Sequence, residues 1–168
     1  MTSARFVGRS RQLAELEAAL RDAAEGRPSL ALIAGESGVG KSRLADELVL
    51  RARETGVVVL WGDCVELGEG ELPYAPLLGA LRPLVRDRDP VLETLPPQLR
   101  AGLDSLLPGL GTRMDPESAA QARVFEGLLA LLDALGEAEA PALLVIEDLH
   151  WSDSSTRSFL SFLARTLC

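Results

Sequence analysis

The sequence predicts an α/β fold, a parallel sheet between helical layers with about three core strands, and three observations predict it. Short, unbroken apolar runs stand at 30–34, 57–61 and 142–146. Such runs are strands covered on both faces, as in a parallel sheet; a half-exposed strand would alternate. Leucine-rich segments of helical spacing lie between them. A proline-rich stretch, holding eight of the ten prolines from Pro73 to Pro116, separates the second run from the third as a helical insertion.

The elements follow in order. Phe6-Val7-Gly8-Arg9 reads as a turn with a hydrophobic anchor. Ser10 is the expected N-cap of an amphipathic helix whose stripe is Leu13, Leu16 and Leu20, ended by Gly26 and Pro28. The first strand, Leu30 to Ala34, enters Gly35-Glu36-Ser37-Gly38-Val39-Gly40-Lys41-Ser42. A helix from Lys41 to about Arg53 buries Leu44, Leu48 and Val49, with Gly56 at its C′ position. Val57 to Trp61 is the second strand. Helices are expected at about Ala75 to Arg86 and Pro97 to Leu106, with Tyr74 packing and Arg82 on the surface. Asp115-Pro116-Glu117 is a helix start with proline at the first position, and that helix runs to Leu135 before Gly136. Ala142 to Ile146 is the third strand. Asp153 caps a last helix that buries Phe159, Leu160, Leu163 and Leu167. The chain divides into a leading segment (1–28), strand, loop, helix and strand (29–63), the insertion (64–140) and the last strand and helix (141–168).

The loop at 35–42 fits G-x-x-x-x-G-K-[ST] at every fixed position, between a strand and a helix. Backbone N–H groups can close on a phosphate only where side chains are absent, which Gly35, Gly38 and Gly40 provide. The following helix offers its free N–H groups and positive dipole end to the anion. Lys41 is placed to reach the β- and γ-phosphates, and the Ser42 hydroxyl to ligate Mg²⁺. The expected nucleotide contacts are Gly35, Glu36, Ser37, Gly38, Val39, Gly40, Lys41, Ser42 and Arg43.

The third strand ends in Glu147-Asp148. Loops at the carboxyl ends of parallel strands converge on one crevice, so these carboxylates are candidates to act opposite the phosphates. Glu147, nearer the strand, is the Mg²⁺ candidate and Asp148 the water-activating one, though the two roles are interchangeable on sequence alone. Glu147, Asp148 and Lys41 are the candidate catalytic residues. His150, the one histidine, reads as a packed residue beside Trp151.

Composition narrows the classes further. The 168 residues suffice for one core, and 47% are hydrophobic, which excludes disorder. A net charge of −8 argues against nucleic-acid binding by this segment, because phosphate neutralisation needs a basic face. No apolar run spans a membrane and the N-terminus has no apolar signal core, so a cytoplasmic location is expected. Cys64 and Cys168 have no metal spacing and are expected as reduced thiols. A guanine-reading N-K-x-D is absent, and the insertion lacks the basic cluster of a small-molecule kinase.

The combination of Phe6-Val7-Gly8-Arg9, GESGVGKSRL at 35–44, Leu72-Pro73-Tyr74-Ala75-Pro76-Leu77 and LVIEDLHWSD at 144–153 resembles the ATPase module of signal-transduction ATPases with numerous domains (STAND), in the wider AAA+ group. The likeness is to the module at the front of large ATP-binding LuxR-type transcriptional regulators. The resemblance implies a P-loop NTPase sandwich with strand order 5-1-4-3-2, and Val7 and Arg9 beside the adenine. It also implies Mg-ATP as a switch with slow hydrolysis, association through ATPase modules, and output from other domains, among them a DNA-binding one. On that order the chain would lack its fourth and fifth strands, leaving apolar strand edges unpaired, as in a fragment of a longer regulator. A nucleotide-binding or scaffolding module without turnover is the alternative.

Overall fold

The computed structural model describes residues 8–66, 72–104, 106, 119–136 and 141–167. Phe6, Val7 and the helix start at Asp115-Pro116-Glu117 lie outside the described residues. Helix α1 spans Ser10–Ala24 and α2 Lys41–Glu54; strand β1, Val58–Asp63, follows. The insertion holds α3 (Ala75–Arg86), α4 (Val91–Thr94) and α5 (Pro97–Asp104), and α6 (Ala119–Gly136) leads to strand β2, Ala142–Glu147. A 3-10 turn at Leu149–Trp151 and helix α7 (Ser154–Thr166) complete the described order.

β1 and β2 pair in parallel, from Val58 opposite Ala142 to Asp63 opposite Glu147. Their adjacency agrees with neighbouring second and third strands. The first expected strand is corrected: among the described residues the sheet has two strands, and 30–34 is not one of them. An apolar run becomes a strand only when a neighbour takes up its N–H and C=O groups. β1 and β2 have each other; no ladder reaches the first run, and Leu30 and Leu32 are 51% and 74% exposed. For the same reason β2 is half-buried along its whole length, where cover on both faces was expected.

Side-chain alternation sorts the helices into two layers around the strand pair. Val58, Leu60, Ala142, Leu144 and Ile146 face a large core with Leu77, Leu81, Leu128, Leu131 and Phe159 from α3, α6 and α7. Phe125 of α6 joins it, its ring 5.5 Å from that of Phe159 and 6.4 Å edge-on from Tyr74. Leu143, on the opposite face, packs with Leu13 and Leu16 of α1, Leu44 and Leu48 of α2, and Ile33. Burial of these side chains, each worth about 1.5–3 kcal/mol, is what holds α1 and α2 against the sheet. Arg51 also bridges Glu17 and Glu47, both at 2.9 Å, but exposed pairs of this kind contribute little.

Several helix ends form as their sequences dictate. Gly56 takes φ 82° and its N–H bonds the Arg53 carbonyl, while Val57 N–H bonds that of Ala52, closing α2. The start of α1 differs. Ser10 is its first helical residue and the N-cap is Arg9, in the left-handed region at φ 53° with no side-chain cap bond.

Candidate nucleotide site

The phosphate loop forms at the junction of the 30–34 segment and α2. Gly40, at φ 86° and ψ 34°, is the N-cap of α2. This left-handed conformation strains residues with a Cβ, and glycine has no side chain to occupy the N–H groups of the first turn. Those groups open outward, and Gly35 to Val39, Ser42 and Arg43 are all exposed. The Lys41 ammonium folds back over its own loop, donating to the Gly35 carbonyl at 3.0 Å and the Glu36 carbonyl at 2.9 Å. A phosphate arriving there would offer stronger, charged acceptors for the same donors.

β2 delivers the acidic pair. Glu147 shares the face of Leu143 by alternation, which is the side of the sheet covered by α2, and its carbonyl accepts the Cys64 N–H at 3.1 Å. Asp148 turns the chain sharply: it is left-handed, φ 50° and ψ 43°, and caps the 3-10 turn, with Trp151 N–H bonding its carbonyl at 2.8 Å. Aspartate tolerates this conformation better than most residues. His150 is exposed, its ring 5.1 Å from that of Trp151.

The structure brings in a further carboxylate that the sequence reading missed. Asp63 lies in register with Glu147 and accepts the Trp61 indole N–H at 2.8 Å. Strand pairing alone produces this juxtaposition, across 84 positions of sequence, so no local signal announced it. Cys64 follows, buried and free. Burial first, then the charges of Asp153, Asp148 and Asp63, push its thiol up to about 11, so it stays protonated and unreactive near neutrality. Among the described residues no group of three or more His, Cys, Asp or Glu is arranged to hold a metal ion.

A separate open cavity of about 280 Å³ lies beyond the strand ends, lined by Cys64, Pro76, Trp151, Ser152 and Arg157 among others. It contains no residue of the phosphate loop. Among the described residues the Ser152 hydroxyl there is buried without a hydrogen-bond partner, while its carbonyl accepts from the Arg157 guanidinium.

Of the expected site residues, the loop, Glu147, Asp148 and Arg9 are all placed, and Val7 lies outside the described residues. The profile of the AAA ATPase domain matches residues 5–168, nearly the entire chain. The chain belongs to the AAA ATPase domain family. This AAA ATPase domain is 28% identical over 166 residues to an uncharacterized protein of Rhizobium meliloti (strain 1021). The match covers 84% of the chain and 15% of that protein, so the chain spans only a small part of its relative's length. No solved structure matches it. Membership accounts for the phosphate loop and the parallel strand pair as parts of a P-loop NTPase fold. Among the described residues of the domain, no helix is long and apolar enough to cross a membrane.

Proposed function

We propose that this AAA ATPase domain binds Mg-ATP and uses it as a regulatory switch with slow hydrolysis, within a longer STAND-class regulator of the LuxR type. The observation that carries the nucleotide reading is the loop at the head of α2, where left-handed Gly40 opens the helix N-terminus and Lys41 rests on two loop carbonyls. In this reading Gly35 to Arg43 cradle the phosphates, with Lys41 on the β- and γ-phosphates, and Val7 and Arg9 flank the base. The oxygen donors Ser42 and Glu147 suit a hard cation, and bound Mg²⁺ would neutralise phosphate charge. Asp148 orients the attacking water. The regulator reading rests on the motif combination and on the greater length of the Rhizobium relative. The missing-strand reading rests on the unpaired 30–34 run. Association through ATPase modules, a cytoplasmic location and a DNA-binding domain elsewhere in the polypeptide belong to the same proposal.

The second reading, binding without turnover, is favoured for this stretch by that same unpaired run, because the loop then hangs from a segment that no ladder holds. Titration with a fluorescent ATP analogue and Mg²⁺ tests the common claim. Saturable binding is expected, with a loss of about ten- to a hundredfold in affinity for Lys41→Ala, as for removing a charged hydrogen-bonding partner. Equal affinity in the variant would end the nucleotide reading. Asp148→Asn then separates the two: trapped ATP supports the switch, and an unchanged fate of bound ATP supports the scaffold.

A further inference from the structure

Two motifs have no role in the nucleotide reading: Leu72 to Leu77 in the insertion, and the Asp153 that ends LVIEDLHWSD. The structure joins them. Asp153 caps α7, with Oδ1 accepting the Thr156 N–H at 2.9 Å and Oδ2 accepting the Thr156 hydroxyl at 2.6 Å. The same Oδ1 also accepts the Tyr74 N–H at 3.0 Å. A serine or asparagine would suffice to cap a helix. The bond to Tyr74 goes further, reaching across 79 positions of sequence to the residue that starts α3.

Both sides of this bond are held by further contacts. Tyr74 is left-handed, φ 61° and ψ 23°, a conformation that a bulky residue keeps only when its surroundings over-determine it. Its ring is buried and meets Phe125 edge-on, the centroids 6.4 Å apart. Two residues on, the Pro76 carbonyl presses against Gly62 of β1. On the other side, 148–157 is hydrogen-bonded nearly continuously. Trp151 N–H bonds the Asp148 carbonyl at 2.8 Å, Ser152 N–H that of Leu149 at 3.1 Å, and Arg157 N–H that of Asp153 at 3.1 Å. Only the extended pair Ser152 and Asp153 links the 3-10 turn to α7, a short path by which a shift of Asp148 can reach Asp153.

We propose that Asp153 is a positioning residue that fastens the start of α3 to the turn bearing Glu147 and Asp148, so that nucleotide occupancy is transmitted to the insertion. The transmission rests on the nucleotide reading above; the fastening does not. The insertion, not the phosphate loop alone, then becomes the surface on which bound nucleotide is read.

Amide hydrogen exchange of the full polypeptide tests both parts, with and without Mg-ADP or Mg²⁺ with a slowly hydrolysed ATP analogue. Without nucleotide, Asp153→Ala should speed exchange at Tyr74 by about tenfold, as for loss of one charge-assisted bond. Unchanged exchange there overturns the fastening. With nucleotide, the wild-type chain should gain protection both in the loop at 35–44 and at 74–80. Asp153→Ala should keep the first gain and lose the second. Asp153→Asn retains an oxygen for the Tyr74 and Thr156 N–H groups and should restore most of the response at 74–80, which a purely structural defect would not follow. An equal response at 74–80 in wild type and Asp153→Ala overturns the transmission. A wild-type loop that gains no protection sinks the nucleotide reading and the transmission together, while the nucleotide-free comparison still decides the fastening. Should Asp153→Ala not fold, Asp153→Ser still caps α7 through one shorter-reaching oxygen but gives up the Tyr74 N–H, and unchanged exchange at Tyr74 in Asp153→Ser would overturn the fastening.

Discussion

Asp153 combines three physical effects in one side chain. Burial by itself would raise its carboxyl group, but the Thr156 hydroxyl and N–H and the Tyr74 N–H, all donating to the charged form, hold it below the ordinary aspartate value. A carboxylate lowered in the folded state contributes stability that is present above its unfolded pKa, about 3.9, and lost as pH falls through the folded value. In that window the unfolded chain binds more protons than the folded one, so stability rises with pH. Asp153→Asn cannot titrate there. The variant should be less stable than wild type at pH 7, by about 1–3 kcal/mol for a buried charged acceptor, and the gap should narrow below about pH 4. Urea unfolding midpoints of the two proteins from pH 3 to 7 check this; a gap independent of pH would show that the charge contributes nothing. The capping role of Asp153 was legible because an N-cap is a local pattern. Its bond to Tyr74 was not, because no local pattern encodes a partner 79 residues away.

Among the described elements, α3 and β1 approach each other closely at Gly62. A Cβ placed on Gly62 would stand 2.1 Å from the Pro76 carbonyl oxygen and 2.7 Å from its carbon, well inside van der Waals contact, and both partners are backbone. Gly62→Ala should therefore push α3 off the strand and destabilise the domain by about 1–3 kcal/mol, the range for overpacking a close-packed site. Thermal or urea unfolding of the variant measures it, and an unchanged midpoint would mean that the two backbones separate freely. The bounds of α3 were legible from its proline and leucine spacing, and they coincide with those expected. The reason for Gly62 was not: a glycine at a strand end reads equally as a turn residue until the helix that crosses it is known.

At the scale of the molecule, the described core divides unevenly about the strand pair. The larger part, under α3 to α7, encloses Leu103, Leu131 and Phe159 completely. The smaller, under α1 and α2, depends on Leu13, Leu44 and Leu48, and beside it the 30–34 run is left largely open. Leu44→Ala should cost about 2–5 kcal/mol, whereas Leu32→Ser should change the stability of this chain by no more than about 0.5 kcal/mol. Unfolding midpoints of the two variants check the contrast. A large loss for Leu32→Ser in a longer polypeptide, but not in this chain, would identify that run as a strand awaiting a neighbour. The sequence by itself determined what depends on near neighbours: the phosphate loop, whose glycines and lysine act within one turn of backbone; the helix ends, set by Gly56 and Asp153; and the apolar runs. Only the tertiary structure decided which runs pair, that Asp63 stands beside Glu147, and that one carboxylate joins the acidic turn to the insertion. The physical reason is that a loop or cap satisfies its hydrogen bonds within a few residues, whereas a strand or a cross-element clamp exists only when a distant partner arrives to complete it.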